Sequence, residues 1–562
     1  MKHYLDILKT KKFWTTSYLL LGVFLSLLQT FSASYFQKVL DDFGNHQLSR
    51  QTIIVYALIL LSICGLNYFD EYPSTKLSES IYLDFKLKAM NKISLIDYST
   101  YQTLGTGNLI QKIESGALAG KAILFDFYFQ LLRDLIPSVF FSLIFIMAIN
   151  KNILFYILIG YLLIFVITNI LLKYLYHIKS HILNNEELFN KYLIRSFMEL
   201  VVFRLHKKFP QETKKATHAA EQIIASKIHM KLIHEAFFAL FACFIIVIKI
   251  IILFVSWKKQ SLSVGSLVAL LALIDKAYSP IAIFNVLFVQ YKLDTSTFQR
   301  YTDFLEMPND SNLTSGNKIA ILDGQIDFEN IDFSYLETNI FKQLSFKINA
   351  GSSVALVGES GSGKSTIVKL IIGLLKPKSG TILIDGSNLS NLNLHDLYNH
   401  ISYTSQESPI FNGTLRENII FDRMITDQEI LAALESVELL SFYSKLPHGL
   451  DTEVGERGMT LSGGEKQRIA LARLYFTNAK IIILDEATSA MDNIIEERVV
   501  QHLMHYLKNK TIISIAHRLN TIKNVENIFV FKSGEIVESG RFDELLEKDS
   551  YFKELWNAST EK

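Results

Sequence analysis

The stretch GESGSGKST, residues 358 to 366, has the residue types and spacing of a phosphate-binding loop. It fits the pattern G-x-x-x-x-G-K-[ST] and lies between a strand-like run, SVALV, and a helix-like run, TIVKLIIGLL. Glycines let backbone N–H groups surround phosphates, the lysine reaches the β and γ oxygens, and the serine after it offers a hydroxyl to Mg²⁺. The sequence therefore predicts a site for ATP and Mg²⁺. Its residues are Gly358, Ser360, Gly361, Ser362, Gly363, Lys364, Ser365 and Thr366, with Ser365 as a metal ligand.

A second run, KIIILDEATSAMD, ends a four-residue apolar strand with two carboxylates. Ligands of open parallel sheets bind at the carboxyl ends of the strands, where Asp485 and Glu486 fall. Asp485 is predicted to hold Mg²⁺ through water, and Glu486 to orient and polarise an attacking water. A solvated strand end is the alternative when this run is taken alone. The phosphate-binding loop elsewhere in the chain favours the nucleotide interpretation.

A third stretch, TLSGGEKQRIALARL, places two glycines at the start of a predicted helix. Free backbone N–H groups and the positive end of the helix dipole favour an anion there. Glu465, rather than the lysine of a G-K-[ST] run, follows these glycines directly, and a complete phosphate-binding loop already lies about a hundred residues earlier. The stretch therefore predicts a second, incomplete phosphate contact.

Taken together, LSGGE at 461 to 465 and the runs at 358 to 366 and 481 to 486 resemble the nucleotide-binding domain of an ABC transporter over about 230 residues. The resemblance implies that Tyr335 stacks on adenine and that Gln406 links Mg²⁺ and the attacking water to the membrane domain. It also implies that Asp492 lies in a loop that crosses a dimer and that His517 contacts the γ-phosphate. Taken singly, Tyr335 could simply end a strand and His517 could be a core histidine.

The same resemblance implies an answer for the incomplete phosphate contact. Ser462, Gly463 and Gly464 would close over the nucleotide held by a second copy, so that two chains complete each site. A homodimer with two active sites is the simplest assembly, and a heterodimer with a homologous half-transporter is the alternative. The segment TEVGERG at 452 to 458 resembles the loop that touches the partner's coupling segment, with Glu456 and Arg457 as its charged contacts.

The elements ahead of this domain are apolar runs of membrane-spanning length. We predict six spans, at 14 to 35, 52 to 69, 135 to 149, 153 to 174, 237 to 256 and 264 to 288, with the short third span extended backwards through Phe125 to Leu132. Basic residues concentrate before the first span and in the two long segments between spans. By the positive-inside rule, the N-terminus and the ATPase domain are cytoplasmic, in a bacterial plasma membrane.

The expected fold is therefore multi-domain: an all-α six-span transmembrane domain followed by an α/β P-loop NTPase domain. Its predicted parts are residues 1–300, a linker at 301–324 and the ABC domain at 325–562. A formal net charge of +1 gives no support for nucleic-acid binding. The two cysteines, Cys64 and Cys243, are expected to be buried small side chains rather than metal ligands.

The expected function is ATP-driven export of an amphipathic, peptide-like, lipid or drug substrate by alternating access. An exporter-shaped importer of a metal chelate and an ATP-gated channel or regulator are the alternatives. Lys249 interrupts the fifth span, and Asp275 and Lys276 interrupt the sixth. Charges at that depth indicate either residues of the substrate pathway, or side chains that snorkel to the membrane surface or form a structural pair between Lys249 and Asp275.

Overall fold

The computed structural model describes residues 2–259, 262–319, 322–421, 423–455, 459–516 and 522–560. Within its helices, the side chains of 2, 3, 106–108, 152, 162–165, 167–173, 255, 258, 259, 559 and 560 lie outside the description. The chain divides into two compact units. The first comprises Met1–Ser94 and Leu104–Met307, and the second comprises Leu95–Thr103 and Pro308–Lys562.

Helices make up the first unit. Their bounds are α1 Lys2–Thr10, α2 Lys12–Gly44, α3 Arg50–Leu95, α5 Thr106–Lys121, α6 Ile136–Ile149, α7 Lys151–Met198, α8 Leu200–Leu205, α9 Phe209–Lys259 and α10 Val264–Leu305, while the short α4, Tyr98–Leu104, falls almost wholly in the second unit. Two π-helical segments, Ala122–Phe129 and Leu131–Leu135, join α5 to α6. The backward extension of the third span is therefore helical, although its π-helical geometry has no signal in the sequence.

Five helices of the described residues are long and apolar enough to cross a membrane: Lys12–Gly44, Arg50–Leu95, Leu109–Ile149, Phe209–Phe254 and Val264–Leu305. The predicted fourth span, 153 to 174, falls within α7, where most side chains from 162 to 173 lie outside the described residues. At a rise of about 1.5 Å per residue, the 46 residues of α3 extend for about 69 Å. This length is about twice the hydrocarbon thickness of a bilayer, so the helix continues well beyond the membrane.

Close packing of α5 against α10 explains one glycine of the first unit. Gly116 lies against Tyr301, and a Cβ added to Gly116 would approach the Tyr301 Cβ to 2.3 Å. The Tyr301 ring is fully buried, and its hydroxyl donates to the Phe85 carbonyl oxygen at 2.6 Å. A larger side chain at position 116 would separate the two helices.

The charged residues of the fifth and sixth spans are paired within the first unit. Lys249 Nζ lies 2.7 Å from a carboxylate oxygen of Asp275, so the structural pair considered for these residues is formed. Lys276 Nζ donates to the Gln29 carbonyl oxygen at 2.6 Å, which joins α10 to α2. Each ammonium group thus has an oxygen partner, as charges at membrane depth require.

The two cysteines do not follow the expectation of burial. Cys64 in α3 and Cys243 in α9 are both free thiols and exposed on the chain. Each lies on a helix that is apolar enough to cross a membrane. An apolar side chain on such a helix can face lipid, so its apolar surroundings in the sequence do not require a protein core.

Strands and short helices form the second unit. The strands are β1 Ile326–Tyr335, β2 Thr338–Ile348, β3 Ser353–Gly358, β4 Ser379–Ile384, β5 Ser387–Asn388, β6 Ile401–Thr404, β7 Gly413–Thr414, β8 Glu453–Val454, β9 Ile481–Asp485, β10 Thr511–Ile515, β11 Asn527–Lys532 and β12 Glu535–Gly540. The helices are α11 Lys364–Ile371, α12 Leu394–Leu397, α13 Leu415–Ile420, α14 Asp427–Ser436, α15 Leu440–Tyr443, α16 Gly463–Ala472, α17 Asn493–Tyr506, α18 Phe542–Glu547 and α19 Tyr551–Thr560.

The main sheet of the second unit has the order β12-β11-β3-β10-β9-β6. Strands β6, β9, β10, β3 and β11 run parallel, and β12 is antiparallel at the edge. This confirms the predicted α/β fold with a largely parallel sheet. A separate antiparallel sheet, β2-β1-β4-β5, was not predicted.

Strand β9 lies between two hydrophobic cores. Ile481 and Ile483 belong to the core that also holds the two sheets and α11. Ile482 and Leu484 belong to the core formed with α13, α14, α16 and α17. Successive strand residues point to opposite faces, so all five residues of β9 are buried. Strand β9 therefore ends at Asp485, where both cores reach the carboxyl end of the parallel strands.

Candidate nucleotide-binding site

The phosphate-binding loop joins β3 to the start of α11. Lys364, the first residue of α11, is buried, and its ammonium group lies across the loop. Its Nζ donates to the carbonyl oxygens of Gly358 and Glu359, each at 2.8 Å, and lies 3.3 Å from Ser362 Oγ. Burial lowers the pKa of Lys364 below its usual 10.5, while the nearby Glu486 and Asp485 carboxylates oppose that shift.

Gly358 needs to be glycine for two reasons. Its φ of 150° lies in a region that L side chains rarely adopt. An added Cβ would also approach the Phe531 carbonyl oxygen of β11 to 2.2 Å. The loop therefore leaves β3 in close contact with the neighbouring strand. Of the other predicted loop residues, Ser362 and Thr366 are buried, whereas Ser360, Gly361 and Ser365 are exposed.

The two predicted carboxylates follow one another at the end of β9. Asp485 is buried and accepts a hydrogen bond from the Tyr403 hydroxyl at 3.3 Å. Burial raises the pKa of Asp485 above its usual 3.8, which the Tyr403 hydrogen bond and the nearby lysines oppose. Its pairing with Ile515 places Asp485 beside the end of β10, one strand away from β3.

Glu486 has a left-handed backbone, with φ at 50°. Such a conformation is uncommon for a residue other than glycine and persists where the surroundings impose it. Here the Glu486 N–H donates to the Ile515 carbonyl oxygen at 3.1 Å. The Glu486 carboxylate accepts a hydrogen bond from Gln406 Nε2 at 2.7 Å. Gln406, which lies two residues after β6, and Glu486 are thus brought together across 80 positions of the chain.

The predicted adenine-stacking residue, Tyr335, ends β1 and lies near the start of α11. Its hydroxyl is 3.5 Å from Thr366 Oγ1, and its ring meets Phe333 edge-on at 5.0 Å between centroids. The aromatic ring is half-buried, and the structure brings it to the phosphate-binding loop.

The glycines of LSGGE begin α16, as the sequence predicted. Ser462 is the N-cap: its Oγ accepts from the Glu465 N–H at 3.3 Å, and the Glu465 carboxylate accepts from the Ser462 N–H at 2.7 Å. These two hydrogen bonds form a reciprocal capping box. Ser462 and Gly463 are exposed. Helix α16 belongs to the core of α13, α14 and α17, whereas α11 belongs to the other core. The phosphate-binding loop and LSGGE are therefore supported separately.

Two further predictions concern Asp492 and His517. Asp492 is the N-cap residue of α17, is exposed and makes no side-chain capping bond. His517 lies outside the described residues, as do Glu456 and Arg457. Within the described ranges, no group of three or more His, Cys, Asp or Glu side chains is placed to hold a metal ion. A divalent ion beside Asp485 would therefore need oxygens from a phosphate as well as from the protein.

Two family models match the chain. One, described as the ABC transporter transmembrane region, matches residues 16–276, and the other, described as ABC transporter, matches residues 341–489. Both matches occur in the order that the structure shows for its helical and α/β units. The chain belongs to the ABC transporters. Its fusion of one membrane region to one ATP-binding domain is that of an exporter-type half-transporter.

Several curated ABC transporters are similar to this one. It is 38% identical over 304 residues to ATP-binding cassette sub-family B member 6 of Xenopus tropicalis, which covers 53% of this chain and 36% of the relative. It is 47% identical over 238 residues to the ATP-dependent permease MDL1 of Candida albicans, and this match covers 41% of this chain and 35% of the relative. It is 36% identical over 295 residues to the ATP-dependent lipid A-core flippase of Desulfotalea psychrophila, covering 52% of each. The chain thus spans about half or less of these relatives.

A solved structure of a bacterial Atm1-family ABC exporter with ATP bound resembles this ABC transporter along almost its whole length. The TM-score is 0.84, and the match covers 98% of both chains at 23% sequence identity. At that identity the likeness shows the fold of the transporter.

Sequence reasoning missed two residues of the site in this ABC transporter. Tyr403 reaches Asp485 from β6, and Gln467 in α16 is buried against the turn that follows Glu486. Tyr403 lies in the same SYTSQ stretch as Gln406, but neither its type nor its spacing indicates a contact with a residue 82 positions away. Gln467 lies two residues after LSGGE, in a polar run between Lys466 and Arg468 that gives no sign of burial.

Proposed function

We propose that this chain is one half of an ATP-driven transporter that exports an amphipathic, peptide-like, lipid or drug substrate by alternating access. The observation that carries the proposal is the contact of Gln406 with Glu486 beside the lysine of the phosphate-binding loop. These groups come from separate parts of the sequence and converge at the carboxyl edge of one parallel sheet. The same chain carries helices long and apolar enough to cross a membrane.

In the proposed site, ATP binds to the loop from Gly358 to Thr366. The Lys364 ammonium bonds to neutral carbonyl oxygens of the loop, and phosphate oxygens would be stronger partners because they are charged. Tyr335 lies at the same end of α11 and would stack on adenine. His517 would contact the γ-phosphate.

Hydrolysis would use Glu486 to orient and polarise the attacking water. The hydrogen bond from Gln406 directs that carboxylate, and the left-handed backbone turns the residue away from the line of β9. Mg²⁺ would be held by Ser365, Asp485 and Gln406 together with phosphate oxygens, and it would neutralise developing charge there. The buried carboxylate of Asp485 suits this role, because a nearby cation would compensate for its desolvation.

A second copy of the chain, or a homologous half-transporter, would complete each site. Ser462, Gly463 and Gly464 lie at the exposed N-terminus of α16 and are supported by a different core from the phosphate-binding loop. The Ser462 hydroxyl, the N–H groups of Gly463 and Gly464 and the dipole of a ten-residue helix are suited to the γ-phosphate of a partner's nucleotide. Asp492 would lie in the loop that crosses this dimer.

The proposed transporter lies in a bacterial plasma membrane with its N-terminus and ATPase domain in the cytoplasm. The basic residues that precede the first span and fill the long segments between spans support that orientation. ATP binding would bring the two α/β domains together, and the long helices would carry this closure to a cavity that opens on opposite sides in turn.

The experiment that tests this function measures ATP hydrolysis and the direction of transport in liposomes, with a panel of amphipathic compounds, peptides, lipids and metal chelates. We expect stimulation by an exported compound. Glu486→Gln should bind ATP and dimerise but lose turnover, whereas Glu497→Gln, an exposed glutamate on α17, should behave as the unchanged protein. Undiminished hydrolysis by Glu486→Gln would overturn the proposed site. Uptake of a chelate, or ion conductance without transport, would overturn export.

A further inference from the structure

Gln467 joins α16 to the turn that follows the proposed catalytic glutamate. The side chain is 4% exposed. Its Nε2 donates to the Glu486 carbonyl oxygen at 3.3 Å and to Ser489 Oγ at 3.0 Å, and its Oε1 accepts from the Ala490 N–H at 2.8 Å. One amide thus uses both donors and its acceptor within the turn from Glu486 to Ala490. Buried polar groups that are satisfied in this way fix the relative position of the segments they join.

The backbone of Glu486 is held from two sides. The Ile515 carbonyl accepts from its N–H at 3.1 Å, and Gln467 donates to its carbonyl oxygen. Because Glu486 has a positive φ, its conformation depends on such surroundings more than that of an ordinary strand residue. Gln467 therefore acts on the residue whose carboxylate direction matters most in the proposed site.

Gln467 is also connected to the exposed start of its own helix. Gly463 and Gln467 are four residues apart, so they lie on one face of α16, about 6 Å apart along its axis. The adjacent Arg468 bonds instead to the Gly464 and Glu438 carbonyl oxygens. A displacement of the N-terminus of α16 would therefore reach the Glu486 turn through Gln467, over a single helical turn.

We propose that Gln467 is a positioning residue for hydrolysis. It couples the binding of the α16 N-terminus to a partner's nucleotide to the position of Glu486 in its own chain. This inference rests on the proposed function, since it needs LSGGE to contact a nucleotide and Glu486 to act on water. It adds that the two nucleotide sites of a dimer communicate through one buried amide in each chain.

The test compares Gln467→Met with Gln501→Met in the full-length transporter in liposomes. Methionine keeps the length of the side chain and removes all three hydrogen bonds, and Gln501 is an exposed glutamine on α17. We expect Gln467→Met to lower kcat for ATP hydrolysis about tenfold, equivalent to about 1.4 kcal/mol, with KM for ATP within twofold of the unchanged protein. Gln501→Met should change neither constant. A retained kcat, or a loss of ATP binding equal to the loss of kcat, would overturn the inference.

A second variant keeps the test decisive if Gln467→Met folds poorly. Ser489→Ala removes one bond of the amide without altering α16, and should lower kcat about threefold; an unchanged kcat in this single variant would by itself overturn the inference. The double variant should lose no more kcat than Gln467→Met alone, because both substitutions break the same connection between α16 and the Glu486 turn. Losses that multiply in the double variant would show that Gln467 and Ser489 act separately, and would overturn the coupling. Glu486→Gln is assayed in the same experiment. If this variant retains turnover, the proposed function is wrong. If it is inactive while Gln467→Met is fully active, only the present inference is wrong.

Discussion

Replacing Ser462 by alanine separates two roles of one hydroxyl: the helix cap that the structure shows and the phosphate contact that we propose. Ser462 caps α16, and its exposed position suits contact with a partner's phosphate. Helix α14 begins with an equivalent capping box, in which Thr426 Oγ1 accepts from the Glu429 N–H at 3.4 Å and the Glu429 carboxylate accepts from the Thr426 N–H at 2.9 Å. Thr426→Ala is therefore a matched control that removes a cap and no proposed ligand contact.

Each substitution should lower the free energy of unfolding by about 1 kcal/mol, the usual cost of losing such a cap. For a domain of this size, the unfolding midpoint should fall by about 2–4 °C in both variants. Ser462→Ala should also lose a hydrogen bond to a charged phosphate, worth about 1.5–3 kcal/mol, which corresponds to roughly a tenfold to hundredfold fall in kcat/KM.

The assay is ATP hydrolysis by the full chain in liposomes, together with thermal unfolding of the same preparations. Equal unfolding midpoints with a much lower kcat/KM for Ser462→Ala would support the shared site. If both variants hydrolyse ATP within twofold of one another, Ser462 contributes only as a cap, and the explanation of LSGGE as a contact with a second copy is wrong.

Three further outcomes are expected. Gly358→Ala should abolish ATP binding in a nucleotide-binding assay and lower the unfolding midpoint, because the added methyl meets the β11 backbone; normal binding would contradict this. Lys249→Met should cost about 2–3 kcal/mol by leaving Asp275 uncompensated in the membrane, and the double variant with Asp275→Leu should recover most of that loss in thermal unfolding. Hydrogen bonds to its carboxylate lower the pKa of Asp332 below 3.8, so its contribution to stability is present above 3.8 and lost as pH falls through the folded value; Asp332→Asn should show a smaller loss on acidification.

The parts of the site that the sequence predicted are those written in consecutive residues. The run from Gly358 to Thr366 and the end of β9 at Asp485 carry their geometry locally, because a glycine-rich turn and a strand end need few distant partners. The cap at Ser462 is equally local, with its glutamate three residues later. These features could be predicted from the order of residue types.

The remaining features depend on contacts between distant segments. Gln406 was assigned only through a family resemblance, and its bond to Glu486 spans 80 positions. Gln467 is polar and stands in a polar stretch, so nothing in the sequence distinguishes it from a solvated residue. The π-helical segments have the composition of an ordinary apolar helix. In each case packing, rather than local preference, decides the outcome.

Strand β9 has a property that its near-uniform sequence conceals. Sliding it by one position would exchange Ile481 and Ile483 for Ile482 and Leu484 on the two sides, and these pairs are almost identical in size and polarity. Hydrophobicity therefore cannot choose between the two alignments. The register is instead set by the hydrogen-bonded pairing with β10 and by the acidic pair at the end of the strand, because a shift would bury these carboxylates in an apolar core. Asp485 and Glu486, to which we assign roles in hydrolysis, would thus also determine where β9 ends.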